Sequence, residues 1–212
     1  MDIRRLIPKY AILPLAGMLL LNFFTYNITP IWTQKMHHYS METGLDEALP
    51  FLPVFVIPYI LAFAQWILGY LAIARTDKQY CYRVISGEII AKFLVCICFI
   101  LLPTTMQRAE ITGTDICSRL VAFIYRTDTA TNLFPSIHCL ESWICYRGAH
   151  NRKYFSRAYE TGMLVMTILV FLSTVFIKQH VVLDMVSAVA VCEIGLFVSG
   201  RLLFTKKEKS ER

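Results

Sequence analysis

The sequence predicts an all-α, polytopic membrane helical bundle of six transmembrane helices, with an interfacial helix between the third and the fourth. Three observations predict it. Apolar residues make up 56% of the chain, too many for a water-soluble domain of ordinary composition. They are gathered into blocks nearly free of charge. The basic residues, finally, alternate in density from one connection to the next, as in a multi-pass protein.

Taken in order, residues 10–34 and 48–74 hold no Asp, Glu, Lys or Arg, nor do residues 93–107 and 161–177; residues 185–200 hold only Glu193. About twenty apolar residues cross a bilayer, so these five blocks read as spans. The first follows basic residues, as a signal peptide does, but it is too long for one and no small-residue cleavage pattern follows it. Residues 133–146 form a shorter sixth candidate that carries His138 and Glu141. Pro14, Pro50, Pro53 and Pro58 lie in or beside spans, where neighbouring groups re-satisfy the backbone that a proline frees.

The formal charge of +6 raises nucleic acid as a partner, but the placement of the 21 Lys and Arg residues argues for membrane topology instead. With residues 133–146 crossing and both termini in the cytoplasm, only Lys35, Arg108, Arg119, Arg126 and Lys178 lie outside. Lys92 falls within a span, and the remaining fifteen lie inside. The asymmetry vanishes if residues 133–146 do not cross. Residues 1–212 then form one six-span membrane domain whose partners are membrane lipids.

The outside connections are the long ones. Residues 35–49 carry His37, His38, Glu42, Asp46 and Glu47; residues 104–132 carry Arg108, Asp115, Arg119 and Arg126. Within the second, Ile116, Leu120, Phe123 and Ile124 recur at helical spacing away from Arg119 and Arg126, as in a helix lying in the membrane interface or a short packed surface helix. The seven cysteines are scattered, with no CxxC pair, and read as small embedded hydrophobes; neither a metal nor a cofactor is implied.

Three polar clusters fall at the outer boundary under this topology: Arg108 after the third span, Pro135-Ser136-Ile137-His138 opening the fourth, and residues 178–184, KQHVVLD, between the fifth and sixth. Ionisable groups near a membrane interior are costly and normally functional. His180 and Asp184 are four apart, on one side of a helix. A carboxylate there holds one imidazole nitrogen protonated and leaves the other as a nucleophile or base; the bland alternative is a helix-capping pair without chemistry. In PSIH the proline suits the first turn of a helix. Ser136 and the amides after it can bind an anion at the positive helix end, and His138 can give a proton to a departing oxygen; the alternative is an ordinary helix cap with an incidental histidine.

Together these clusters resemble the type 2 phosphatidic acid phosphatase superfamily of membrane lipid phosphatases and phosphotransferases, related in fold to vanadium haloperoxidases. The resemblance covers roughly residues 102–188. PSIH is similar to the family's second motif, and STVFIKQHVVLD to its third, with Ser173, His180 and Asp184 at the family spacing. QRAE supplies the arginine of the first motif as Arg108, although Leu101 and Ala109 stand at its lysine and proline positions and Thr174 at the arginine of the third. The resemblance implies that His180 attacks phosphorus to form a phosphohistidine, that Asp184 orients it, and that His138 protonates the leaving oxygen. Arg108, Ser136 and Ser173 would hold phosphoryl oxygens, with Lys178 replacing one missing cation. Losing two cationic ligands either lowers activity or reflects a less charged substrate, which raises a phosphodiester over a monoester. The expected substrate is thus a lipid phosphate or phospholipid headgroup, met at the outer, extracytoplasmic or lumenal, face. Two alternatives stand beside it: a polyprenyl pyrophosphate phosphatase using the same residues, and a non-catalytic lipid or ion transporter. A transport path would string polar residues through the bilayer depth, where Lys92, Glu141 and Glu193 are the exceptions to otherwise neutral span centres.

Overall fold

The computed structural model describes residues 7–151 and 153–204. Both termini, with Arg4, Arg5, Arg152 and the basic residues after 204 that entered the charge asymmetry, lie outside the described residues. Among the described residues the regular structure is helical but for a two-residue parallel ladder and an isolated bridge between Thr105 and Thr131. Helix α1 runs Lys9–Thr33, with a π-helical turn at Phe24–Ile28. Strand β1 (Tyr39–Ser40) and helix α2 (Gly44–Ala48) follow, then α3 (Val56–Ala74) and α4 (Lys78–Leu101). Strand β2 (Thr104–Thr105), α5 (Ile116–Thr127), α6 (Ile137–Ala149), α7 (Arg157–Phe176) and α8 (Val182–Val198) complete the order.

Four helices begin where a short polar side chain accepts a hydrogen bond from an amide of the first turn: Asp77 from Tyr80, Asp115 from Ser118, Ser136 from Cys139 and Ser156 from Tyr159. Five helical stretches are long and apolar enough to cross a membrane: Lys9–Thr33, Pro53–Ala74, Lys78–Leu101, Arg157–Phe176 and Val182–Arg201. Four match the expected blocks closely. The third does not: α4 begins fifteen residues before the block at 93, and residues 102–107 leave the helix. Charge-free counting started the span only after Lys92, whereas Glu88 and Lys92 are buried inside it as an ion pair at 3.0 Å.

The connections gather at two ends. At one end, Leu52 N donates to Phe176 O, Tyr39 N to Pro103 O and Ser136 N to Asp184 O. At the other, Tyr10 Oη donates to Ala74 O, Tyr80 Oη to Gly148 O and Ser199 Oγ to Arg83 O. Helix α6 has only 13 residues, roughly 20 Å at 1.5 Å each, yet its start and finish take part in bonds at opposite ends. Its neighbours bury it almost completely, Leu140 and Ile144 reaching zero exposure. The outward faces of the long helices are apolar, with Leu13 80% and Leu101 74% exposed, as a lipid-facing surface is. Helices α4 and α8 approach closely at Gly87 and Gly195, where a Cβ on Gly195 would lie 2.1 Å from Gly87 O; small residues permit such crossings without side chains between the backbones. Helix α5 lies across the start of α3, burying Val121 against Val56, Tyr59 and Ile177 while Ile116, Phe123, Arg119 and Arg126 stay exposed.

Candidate functional site

The histidines come from two helix starts at the same end of the bundle. Ser136 caps α6, its hydroxyl accepting from Cys139 N at 3.3 Å, so Pro135 lies ahead of the cap and not in the first turn as expected. A serine oxygen can satisfy a first-turn amide; a proline can only lack one. His138 is the second residue of the helix. At the start of α8, Asp184 Oδ2 accepts from Val181 N and lies 3.1 Å from Nδ1 of His180. With Nδ1–H donating to the carboxylate, Nε2 is the ring nitrogen left for other chemistry. The two imidazoles stand 6.2 Å apart between ring centroids. That separation is short enough for one small group to span both rings, although the rings line different cavities.

Each histidine faces its own cavity. His180 lines a cavity of about 210 Å³ together with Arg108, Lys178, Glu42, Asp46 and Glu47. His138 lines a larger, mainly apolar one of about 510 Å³, with its ring stacked on Tyr59 at 4.5 Å.

Arg108 is fixed from three sides. One terminal nitrogen donates to Tyr125 O at 2.9 Å, the other to Gln179 Oε1 at 2.7 Å, and the guanidinium lies 4.5 Å over the Tyr125 ring; its Nε is buried with no partner among the described residues. Tyr125 is held in turn by donating to Ile177 O, and burial pushes its phenol up to about 12. Lys178 has a positive φ of 51°, and its ammonium donates to Asp46 O at 2.6 Å and Leu49 O at 2.8 Å. It borders the cavity as a strut to the 35–49 connection more than as a free cation.

The remaining sequence candidates sit differently. Ser173 is fully buried with its hydroxyl donating to Val170 O, and Ser136 is fully buried as the cap; neither lines the cavity of His180. Thr174 is also fully buried, and its carbonyl accepts from the amides of Gln179 and His180, shaping the turn that presents the imidazole. Sequence reasoning missed Gln179 and Asp46. Gln179 is 1% exposed, holds Arg108 and leaves Nε2 without a partner among the described residues. Asp46 accepts from Val182 N at 2.7 Å, tying the first outer connection to the start of α8. Its signal was present: Thr43 and Asp46 are spaced as a helix-capping pair.

The arrangement offers an imidazole bonded to a carboxylate, a second imidazole, a fixed guanidinium and, in the cavity, three carboxylates against two cations. Among the described residues no three His, Cys, Asp or Glu side chains group as metal ligands. Compared with known protein families, characterised proteins and solved structures, the chain has no match in any of the three.

Proposed function

We propose that the protein is an integral-membrane lipid phosphatase or phosphotransferase, metal-independent, that works through a phosphohistidine on His180. Asp184 orients the nucleophile, His138 serves as acid and then base, and Arg108 stabilises the transferring phosphoryl group. The observation that carries the proposal is the His180–Asp184 contact at 3.1 Å, with His180 on a cavity shared with Arg108 and a second histidine ring 6.2 Å away. A phosphodiester donor is favoured. Three carboxylates against two cations, one of them already bound to two carbonyls, suit a singly charged phosphoryl group better than a dianion.

In this proposal the chain crosses six times, with α6 as the short fourth crossing, α5 in the interface and the site at the outer face. The bonds of α6 at both ends of the bundle support that count, and its near-complete burial explains how so polar a helix is tolerated. Turnover of a panel of lipid phosphomonoesters, pyrophosphates and phosphodiesters tests the function. Release or transfer of phosphate from at least one class is expected, inhibited by vanadate and indifferent to chelators; inactivity across the panel, or activity lost on chelation and restored by added metal, contradicts it. Preference for pyrophosphates would select the polyprenyl alternative. A cysteine at Asn151 labelled from the outside would overturn the topology.

A further inference from the structure

The phosphate chemistry leaves the larger cavity unexplained. It lies between α1, α3, α5 and α6, holds about 510 Å³, and is walled by Tyr59, Phe63, Trp66, Leu120 and Ile124. That is roughly three times the ~150 Å³ of an apolar cavity that takes one six-carbon ring, room for roughly twenty carbons. Of the polar groups on its lining, Tyr26 donates to Asp128 and Thr127 to Phe123 O; three others keep acceptor capacity. Nε2 of His138 and Oδ1 of Asn22 are buried with no hydrogen-bond partner among the described residues. Glu141, one turn along α6 from His138, lines the same space while one oxygen accepts from Lys92. With His138 protonated on Nδ1, all three are acceptors, so the occupant that answers them is an apolar molecule carrying hydroxyl donors.

We infer that this cavity binds the chain-bearing alcohol of the reaction, a long-chain lipid alcohol whose hydroxyl meets His138. The assignment rests on the catalytic proposal for its chemistry and on the cavity alone for binding. In the first half-reaction a bond forms between Nε2 of His180 and phosphorus and the bond from phosphorus to the departing oxygen breaks. His138, having taken up a proton at Nε2 before this step, delivers it to that oxygen, which leaves as an alcohol and returns the ring to its Nδ1–H form. In the second, an alcohol gives its proton to His138 as its oxygen bonds phosphorus and the nitrogen–phosphorus bond breaks. The cavity serves the alcohol either as leaving group or as acceptor.

The test uses the full chain in lipid nanodiscs and a C16 alcohol bearing a photoactivatable diazirine. Crosslinks mapped to residues 59–66 and 120–124 are expected, displaced by unlabelled hexadecanol and not by hexadecane. Ile124→Trp, which fills the cavity, is expected to lower labelling by about tenfold, the scale of apolar-pocket discrimination. Asn22→Leu, which removes an acceptor at similar volume, is expected to narrow the difference between alcohol and alkane. Equal displacement by the alkane, or crosslinks confined to lipid-facing residues such as Ile67 and Leu101, overturns the assignment. Phosphoenzyme measured on the same preparation separates the two ideas: phosphate on His180 without crosslinks in the cavity defeats the cavity assignment alone, and crosslinks without phosphoenzyme defeat the catalytic proposal while sustaining the binding site. Radiolabelled hexadecanol incorporated into phospholipid identifies an acceptor, and release of a long-chain alcohol without incorporation identifies a leaving group; if the protein forms phosphoenzyme and does neither, the assignment of the occupant as the reaction's alcohol is overturned.

Discussion

Two buried polar clusters share this bundle and differ in what surrounds them. In the interior, the Lys92 ammonium lies 3.0 Å from Glu88 and 2.7 Å from Glu141, and Tyr70 donates to Glu88. Opposite charges answer one another there, with only Oε2 of Glu88 left over among the described residues; Lys92 and Glu88 line neither cavity described above, and Glu141 alone of the three borders the larger one. At the end of the bundle, His180 and Arg108 also have protein partners, but each borders open space, and Nε2 of His138, Nε of Arg108 and Oδ1 of Asp184 have no partner among the described residues. Charge within an apolar block is therefore not in itself a mark of chemistry. What separates the clusters is whether polar atoms are left over beside a cavity.

The comparison can be broken by substitution. Lys92→Ala leaves two buried carboxylates facing each other and should cost about 3–5 kcal/mol, read as lost thermal stability or folded yield. Replacing Lys92, Glu88 and Glu141 together by Met, Leu and Leu should be nearly neutral in stability; a large loss would mean that the interior cluster does more than answer itself. Arg108→Ala should lower turnover by ~10²–10³ while the protein stays folded, and Arg108→Lys should recover only part, since one ammonium does not reproduce a planar fork held by Tyr125 O and Gln179 Oε1.

Lys178 sharpens the same comparison because it stands at the site but bonds like an interior strut. Lys178→Ala removes two bonds to carbonyls and should destabilise by about 1–3 kcal/mol. Lys178→Gly should be the more stable of the two by about 1 kcal/mol, because a φ of 51° costs alanine and not glycine. Denaturation of both variants measures the difference.

The smallest effect belongs to the far end. There, hydrogen bonds from Tyr154 and from the Tyr80 amide pull the Asp77 carboxyl down to about 2. A carboxyl depressed in the folded state contributes above its ordinary value of 3.8 and loses that contribution as pH falls toward about 2. Asp77 is exposed, so the loss should be slight, and Asp77→Asn should abolish it in acid denaturation profiles.

How much of this was legible in the sequence depended on range. Apolar blocks announced four spans within a few residues; His180 and Asp184 do meet, but His180 lies ahead of α8 and not on its face, so the contact comes from the turn before the helix and not from helical i,i+4 spacing. The third span was misplaced because Glu88 and Lys92 look like the end of an apolar block when counted singly and like its interior once paired. The short α6 stood out by its polar residues, yet its start moved to Ser136 because capping outweighs hydropathy at a helix end. Asp46 and Gln179 were hidden for another reason. Asp46 bonds Val182 across 136 residues, and Gln179 bonds Arg108 across 71; no local pattern encodes either contact. Ser173 matched a motif spacing, but its hydroxyl is spent one turn back on Val170, which spacing alone does not foretell.

The central claim is that His180 carries the phosphoryl group, and trapping tests it most directly. The purified chain in nanodiscs is incubated briefly with the lipid phosphate or phosphodiester that turns over fastest, labelled at phosphorus, then quenched and mapped by mass spectrometry. Phosphate is expected on His180, absent in His180→Ala and retained in part in His138→Ala when the leaving group is a good one. Turnover without any phosphate on His180, or with the label on another residue, would contradict the account.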